Sequence, residues 1–391
     1  MKRIVFVLSF SSLGGIEKSL INLLYNFDFS KYKVDIALLN KEGELVNCIP
    51  QQANIIDVNC FKGEIWQLIT NSPYYNLKHF LTKLQFLNAI CYCFFYFLNK
   101  KTNNSYRVQY LKWVTRKINK LPYKYDVAIA YGGPEQLMDF YVCHKINATK
   151  KIGWIHFDIN KFHYAEKTAT KFYDKYSKIC VVSNEAKFNF MNHFPQFKDK
   201  VITFYNKIHT KSVIASARQE NIFPNDKSIK LLTVGRISPE KGQQLAIKTL
   251  KKLIDGGYKI NWYFVGDGPD RTHCENLAKE LGISDYAFFV GNQINPYVYM
   301  KNCNIYVQPS IHEGFCMTLA EALCFKNPIV TTNFTGAKEQ LKNRENAIIT
   351  EIDPCLLANA IIKAIDMKQV QNLQLNKSYD SLDDLYCLLD E

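Results

Sequence analysis

YVQPSIHEGFCMTLAEALCFKN, residues Tyr306–Asn327, is the stretch from which the rest of this 391-residue chain is read. It starts within one apolar run, Asn304–Val307, and is followed by another, Pro328–Val330. Two glutamates, Glu313 and Glu321, stand in it with a small-residue turn between them and an Ala/Leu-rich helix after the turn. A strand, a loop tipped by a carboxylate and a helix beginning near Cys316–Thr318 offer unspent backbone N–H groups and a positive dipole end, which suits an anion. At about 100° per helical residue the two glutamates point roughly 80° apart, so they need not share one ligand.

Upstream, Lys230–Val234 reads as a buried strand leading into GRISPEKG, Gly235–Gly242, and a helix over Gln243–Leu253. Ser238-Pro239 has the form of an N-cap with proline at the first helical position. Arg236 and Lys241 place two cations at that start, and both side chains make charge-assisted hydrogen bonds to phosphate. Asn261–Val265, Tyr286–Val290, Ile305–Val307 and Ile329–Thr331 continue the alternation of strand and helix, which predicts a doubly wound sheet. Carboxylates repel phosphate but accept hydrogen bonds from paired hydroxyls. The glutamates and cations together therefore point to a nucleotide sugar, with diols on either side of a pyrophosphate.

The N-terminal half repeats the pattern. Arg3–Leu8 is a continuous apolar run, expected as a parallel strand covered on both faces. Gly14-Gly15 follows and opens an amphipathic helix with Ile16, Leu20, Leu23 and Leu24 on one face. Such a glycine loop either binds an anion or only makes a tight turn. Val34–Leu39, Tyr125–Tyr131 (ending at Gly132-Gly133-Pro134), Lys151–Ile155, Ser177–Ser183 and Val201–Tyr205 are further expected strands. His156 sits just past the end of its strand, where α/β sheets bind ligands; a core or surface histidine is the other reading. Residues 62–120 break the pattern with an aromatic, Lys-rich, helical segment. It suits either an anionic membrane or amphipathic acceptor surface, or simple packing on the first domain. The polar stretch Asn206–Lys227 is expected as the domain junction.

Composition sets outer bounds. A chain of this length is expected to have two domains, and 47% hydrophobic with 22% charged residues describes a folded α/β protein. Twelve cysteines are scattered with no C-x-x-C, and Cys91 and Cys93, taken as alternate strand residues, point to opposite faces. A reduced, cytoplasmic setting with buried thiols is expected. The net charge of +13 lies wholly in residues 1–210, with 29 Lys/Arg against 15 Asp/Glu. No nucleic-acid motif accompanies it. No transmembrane segment is expected: the start reads as a strand, and Phe86–Leu98 falls short of the ~20 residues a span needs.

VGRISPEKG, FVGDGP, VGNQINPY, VQPSIHEGF and AEAL…PIVTT, in this order, resemble the retaining nucleotide-sugar glycosyltransferases of family 4 over nearly the whole second domain. SFSSLGGIEKSL, WIHFD and CVVSNEAKFNF resemble them less specifically in the first half. The resemblance implies the GT-B fold, two doubly wound Rossmann-like α/β domains facing each other across a cleft. Residues 1–207 would be the acceptor-side domain with the 62–120 insert, 208–371 the donor-binding domain, and 372–391 a C-terminal helix returning to the first domain. It implies that Arg236 and Lys241 hold the donor pyrophosphate, aided by Gly14, Gly15 and the Cys316, Met317 and Thr318 helix start. Glu321 would bind the ribose, Glu313 the transferred sugar beside Gly314 and Phe315, Asn292 and Gln293 the base, and His156 the sugar or acceptor. Cys316 departs from the family's usual glycine or proline, and Arg344-Glu345-Asn346-Ala347 from its glycine-rich turn, which puts the pocket shape and one loop in doubt.

The implied reaction is metal-independent, retaining transfer to a glycan or lipid-linked acceptor in surface polysaccharide or lipopolysaccharide synthesis. A UDP-sugar is the expected donor, no cofactor is needed, and the protein would be cytoplasmic, peripheral on the inner face of the cytoplasmic membrane. A non-catalytic glycan- or partner-binding protein and a nucleotide-sugar epimerase are the alternatives.

Overall fold

Uninterrupted apolar strands separated by helices dictate parallel sheets covered on both faces. The computed structural model describes residues 1–10, 14–41, 47–58, 64–133, 137–161, 164–218, 222–367, 369 and 381–390. The chain begins β1 (Lys2–Phe10), α1 (Gly15–Tyr25), β2 (Tyr32–Lys41), β3 (Asn54–Asp57), α2 (Glu64–Thr70), α3 (Pro73–Thr82), α4 (Phe86–Lys101), α5 (Arg107–Val114), β4 (Lys124–Gly133), α6 (Leu137–Lys145), β5 (Asn147–Ile155), α7 (Glu166–Tyr173), β6 (Lys178–Val181), α8 (Asn184–His193) and β7 (Val201–Thr203). It continues α9 (Thr210–Ser216), β8 (Ile229–Val234), α10 (Gln243–Asp255), β9 (Ile260–Val265), α11 (Arg271–Glu280), β10 (Ala287–Gly291), α12 (Tyr297–Asn302), β11 (Ile305–Gln308), α13 (Met317–Ala322), β12 (Ile329–Thr332), α14 (Ala337–Leu341), β13 (Ala347–Thr350), α15 (Pro354–Ile365) and α16 (Asp383–Asp390). Two compact units result: Met1–Val182, Lys187–Phe204 and Leu382–Glu391 form one, Ser183–Ala186 and Tyr205–Ser381 the other.

The first unit is a seven-stranded parallel sheet in the order β3-β2-β1-β4-β5-β6-β7. Its centre is dry: Ile4–Leu8 of β1 and Val127–Tyr131 of β4 are buried. One polar clamp crosses the edge. Arg3 Nε donates to Oδ2 of the fully buried Asp35 at 2.8 Å, and Asn54 Nδ2 donates to Oδ1 at 2.8 Å. Both carboxylate oxygens are thereby paired, as burial of a charge requires, and β1, β2 and β3 are tied together. The terminal α16 belongs to this unit: Tyr386 stacks on Tyr32 with ring centroids 5.6 Å apart, and Lys2 pairs with Asp390 at 2.9 Å.

The insert α2–α5 has a small core of its own, Leu68, Phe80, Ala89, Tyr92 and Val114. Cys91 and Cys93 lie on α4, a helix, so the alternate-strand reading of that pair is corrected; both are free thiols, like the other described cysteines, but not all are buried as expected, since Cys48, Cys355 and Cys387 are exposed. The expected polar junction, Asn206–Lys227, begins beside the point where the units part. The units part between Phe204 and Tyr205, and the stretch after it carries α9 with Asn206, Lys207, Thr210 and Val213 buried. Pro134 and the loop residues Ser11–Leu13 lie outside the described residues.

The second unit is a six-stranded parallel sheet in the order β10-β9-β8-β11-β12-β13. Ala246, Ile247, Leu250 and Leu253 make one apolar face of α10, and with Leu357 and Ile361 of α15 they join Trp262, Phe264 and Val307 in a single core. Strand order reverses between β8 and β11, and parallel sheets bind ligands outside the strand ends at such a switch point. Ser238-Pro239 does not cap α10 as expected. It opens a separate one-turn 3-10 helix, Pro239–Lys241, and α10 starts after Gly242.

Gly242 is required there twice over. Its φ is +73°, and a Cβ would lie 1.9 Å from the Pro309 carbonyl oxygen. Replacing it with alanine should destabilise the second unit by at least about 2 kcal/mol, since left-handed backbone and overpacking both oppose a side chain. Urea unfolding of Gly242→Ala measures this; an unchanged midpoint would show that the loops are not in contact.

Candidate active site at the β8–β11 switch point

The loops leaving β8 and β11 meet because their strands are neighbours. Backbone holds them first: the N–H groups of Ile311 and His312 donate to the Glu240 carbonyl at 2.9 and 3.5 Å. With Gly242 lying against Pro309, the 3-10 turn delivers Lys241 to Glu313. Lys241 Nζ stands 2.7 and 2.8 Å from the two carboxylate oxygens. Glu313 is 8% exposed and the Lys241 side chain 24%. Burial pulls the lysine's pKa down more than any other single cause, but the Glu313 charge and hydrogen bond, together with Cys316 and Glu240, outweigh it and hold the ammonium above its ordinary range.

A relay of side chains fixes Glu313 from behind. Ser310 Oγ donates to Glu313 Oε1 at 2.7 Å, and Gln308 Nε2 donates to Ser310 at 2.8 Å. Gln308 Oε1 accepts from Tyr306 at 2.6 Å and from Thr318 at 3.1 Å. Sequence reasoning did not single out Tyr306, Gln308 or Ser310. The signal was present in YVQPS, where polar residues end an otherwise apolar, buried strand. Thr318 thus turns its hydroxyl toward β11, and any anion contact it makes is through its backbone. Cys316 precedes α13; its thiol is buried, lies 3.3 Å from Thr318 Oγ1, and has its pKa raised by burial and by Glu313.

Glu321 is fully buried on α13 and accepts from Tyr297 Oη at 3.1 Å. Tyr297 was not foreseen either. It lines a 540 Å³ concavity with Ala215, Ser216, Arg218, Ile294 and Asn295. Asn292 and Gln293 are exposed beside it in sequence and do not line it. Arg236 extends into solvent and pairs with Glu240 at 2.7 Å rather than with the Lys241 cluster. Phe315 and Met317 are buried, and Gly314 is partly exposed.

The remaining expected residues stand in the first unit. Gly14 precedes α1 and Gly15 begins it, but the space beside Gly14 is filled: a Cβ there would meet Glu17 Oε2 at 2.2 Å. His156 is buried against Tyr131 (ring centroids 4.5 Å apart) and Trp154, with neither ring nitrogen hydrogen-bonded. Burial lowers its pKa to about 3, so the ring is neutral at ordinary pH. Among the described residues no cluster of three His, Cys, Asp or Glu is arranged to hold a metal. No described helix is long and apolar enough to cross a membrane.

Residues 215–379 match the family described as Glycosyl transferases group 1. An uncharacterized glycosyltransferase of Methanocaldococcus jannaschii is 29% identical over 181 residues, 44% of each chain. The N-acetylgalactosamine-N,N'-diacetylbacillosaminyl-diphospho-undecaprenol 4-alpha-N-acetylgalactosaminyltransferase of Campylobacter jejuni is 30% identical over 150 residues, 38% of this chain and 40% of its own. The chain therefore spans less than half the length of these relatives. The crystal structure of Anabaena HepE with UDP and glucose superposes with a TM-score of 0.65 at 17% identity, covering 94% of this chain and 90% of that one. At that identity the likeness is one of fold. The fold is GT-B, built from two parallel-sheet Rossmann-like domains.

Two stability measurements test the geometry. Lys241→Met leaves Glu313 charged and mostly buried and should cost about 2 kcal/mol, reduced from the fully buried case because the lysine is partly exposed. The double variant Lys241→Met/Glu313→Gln should recover most of this loss in urea unfolding, and additive losses would disprove the pairing. For His156 the folded pKa lies below the ordinary 6.5. Its contribution is therefore complete above pH 6.5 and is lost as pH falls toward 3, by up to about 5 kcal/mol. His144, half-buried and lowered to about 4 by burial and nearby lysines, adds a smaller component. His156→Phe should flatten this acid limb, and an unchanged pH profile would place His156 in solvent.

Proposed function

We propose that this chain, which carries a glycosyl transferases group 1 domain on a GT-B fold, transfers a sugar from a nucleotide-diphosphate donor to a glycan or lipid-linked acceptor. The observation that carries this reading is the Lys241–Glu313 pair at the switch point. A lysine ammonium has three N–H groups. Two distances to Glu313 account for two of them, and the third is available to a donor phosphate oxygen. The α13 backbone N–H groups and Arg236 supply further positive charge. Glu313 then faces the sugar hydroxyls, and Glu321 with Tyr297 faces the ribose. The 540 Å³ concavity beside Tyr297 accepts the base, with Asn292 and Gln293 at its edge in sequence.

The reaction in this reading is metal-independent and retaining, as in family 4. The acceptor oxygen bonds to the anomeric carbon while the carbon–oxygen bond to the diphosphate breaks. The acceptor's proton passes to the departing diphosphate oxygen. Lys241 and the helix start stabilise the negative charge that grows there, and Glu313 orients the sugar. Neutral His156 serves the sugar or acceptor side, and Gly14-Gly15 are kept as donor-phosphate ligands on the family resemblance. A UDP-sugar is the donor we favour. The named activity of the Campylobacter relative, which builds on a diphospho-undecaprenol, supports a role in surface polysaccharide or lipopolysaccharide synthesis. Such an acceptor also favours a cytoplasmic protein peripheral on an anionic membrane through its basic N-terminal unit.

Release of nucleoside diphosphate from a panel of nucleotide sugars, including slow hydrolysis without acceptor, tests this reading. The wild-type chain should turn over at least one donor. Lys241→Ala and Glu313→Gln should each lower the rate at least about 100-fold. Equal rates in all three would end the assignment.

A further inference from the structure

The insert α2–α5 leaves an apolar face uncovered. Leu87 on α4 is 80% exposed, Ile90 65% and Phe94 61%, with Phe86 and Phe97 similarly bare. At about 100° per residue these five side chains fall within a single arc of about 100°. Ala89 and Tyr92 on the opposite side fill the insert's own core. The face is therefore a finished outer surface of a packed helix. Contiguous apolar surface of this kind marks an interaction site on a folded protein.

The turn between α3 and α4 extends it. Leu84 has φ +53° and is 75% exposed. The amide of Gln85 donates to the Phe80 carbonyl at 2.8 Å and that of Leu84 to Leu81 at 3.1 Å, a helix-ending turn whose left-handed position usually holds glycine. A leucine there strains the backbone and gains no burial within the fold, which fits a side chain buried by something else.

Charge identifies the occupant. Between Glu64 and Asp126 the chain has ten Lys/Arg and no Asp or Glu. Lys78, Lys83, Lys100 and Lys101 lie on α3, the turn and the end of α4. We infer that α3, the Lys83–Gln85 turn and α4 lie in the interface of an anionic lipid bilayer, with Leu84, Leu87, Ile90 and Phe94 in the acyl boundary and the lysines at the headgroups. An amphipathic helix with basic flanks binds in this way. At 16 residues α4 is shorter than a spanning segment and rests in the plane. A second copy of the chain is disfavoured as occupant because it would bring two acid-free basic surfaces together. This inference deepens the membrane contact of the proposed function by naming the element and making the contact an insertion.

Flotation of the full-length chain with phosphatidylcholine vesicles, with and without phosphatidylglycerol, tests it. The wild type should float with the mixed vesicles, weakening as salt rises without full release. Leu87→Ser/Phe94→Ser should lower partitioning at least about tenfold with an unchanged unfolding midpoint. Leu84→Gly should weaken binding while raising that midpoint, which a purely structural leucine would not do. Absence of flotation at low salt would overturn the inference. So would full release by salt with no effect of the apolar variants, which would leave a purely electrostatic contact. A dimer in sedimentation equilibrium that Leu87→Ser/Phe94→Ser dissolves would assign the face to a second copy. Donor hydrolysis is assayed without vesicles, so failure of the transferase reading and failure of this one are separately visible.

Discussion

A lysine ammonium 2.7 Å from a mostly buried carboxylate holds two loops that are 72 positions apart in the chain. Neither charge can be removed alone without leaving the other stranded at low dielectric. The surroundings are built to keep the pair together. Gly242 allows the 3-10 turn to touch Pro309, the Glu240 carbonyl receives two amides of the facing loop, and Ser310 and Gln308 lock the carboxylate from behind. All of this sits where strand order reverses, which is where a doubly wound sheet leaves room for a ligand.

For the proposed nucleotide-sugar donor, the pair also resolves an electrostatic difficulty. A lone glutamate beside a diphosphate would repel it, and a lone lysine would leave the sugar without an acceptor for its hydroxyls. Joined, they would present to the proposed donor a nearly neutral surface, with one ammonium N–H for phosphate and carboxylate lone pairs for hydroxyls. Glu321 is kept apart from this cluster, on the buried side of α13 with Tyr297. The two glutamates therefore do not form an acid–base dyad.

Most of the sheets was legible because parallel strands covered on both faces read as continuous apolar runs, as in Arg3–Leu8 and Lys230–Val234. β3 and β13 escaped that reading. They are four-residue edge strands, NIID and AIIT, with no long run to betray them. α9 escaped because its apolar face is a single turn within a polar stretch. The cations and glutamates of the site were legible from residue type and order. Their pairing was not, because it depends on β8 and β11 being neighbours, a fact of topology rather than of local pattern. The contact of Glu17 with the space beside Gly14 was not legible, because it depends on how the first turn of α1 places that side chain. In the insert, basic and aromatic composition was visible, while the split between core-facing Tyr92 and outward Phe94 required the helix packing.

If Lys241 is shared between Glu313 and the donor diphosphate, neutralising Glu313 should remove a competitor for the lysine. Calorimetric titration of UDP into the full-length wild type, Glu313→Gln and Lys241→Ala proteins measures this directly. The account predicts that Glu313→Gln binds UDP at least as tightly as the wild type, while Lys241→Ala binds it at least about tenfold more weakly. Loss of UDP affinity in Glu313→Gln equal to that in Lys241→Ala would contradict it.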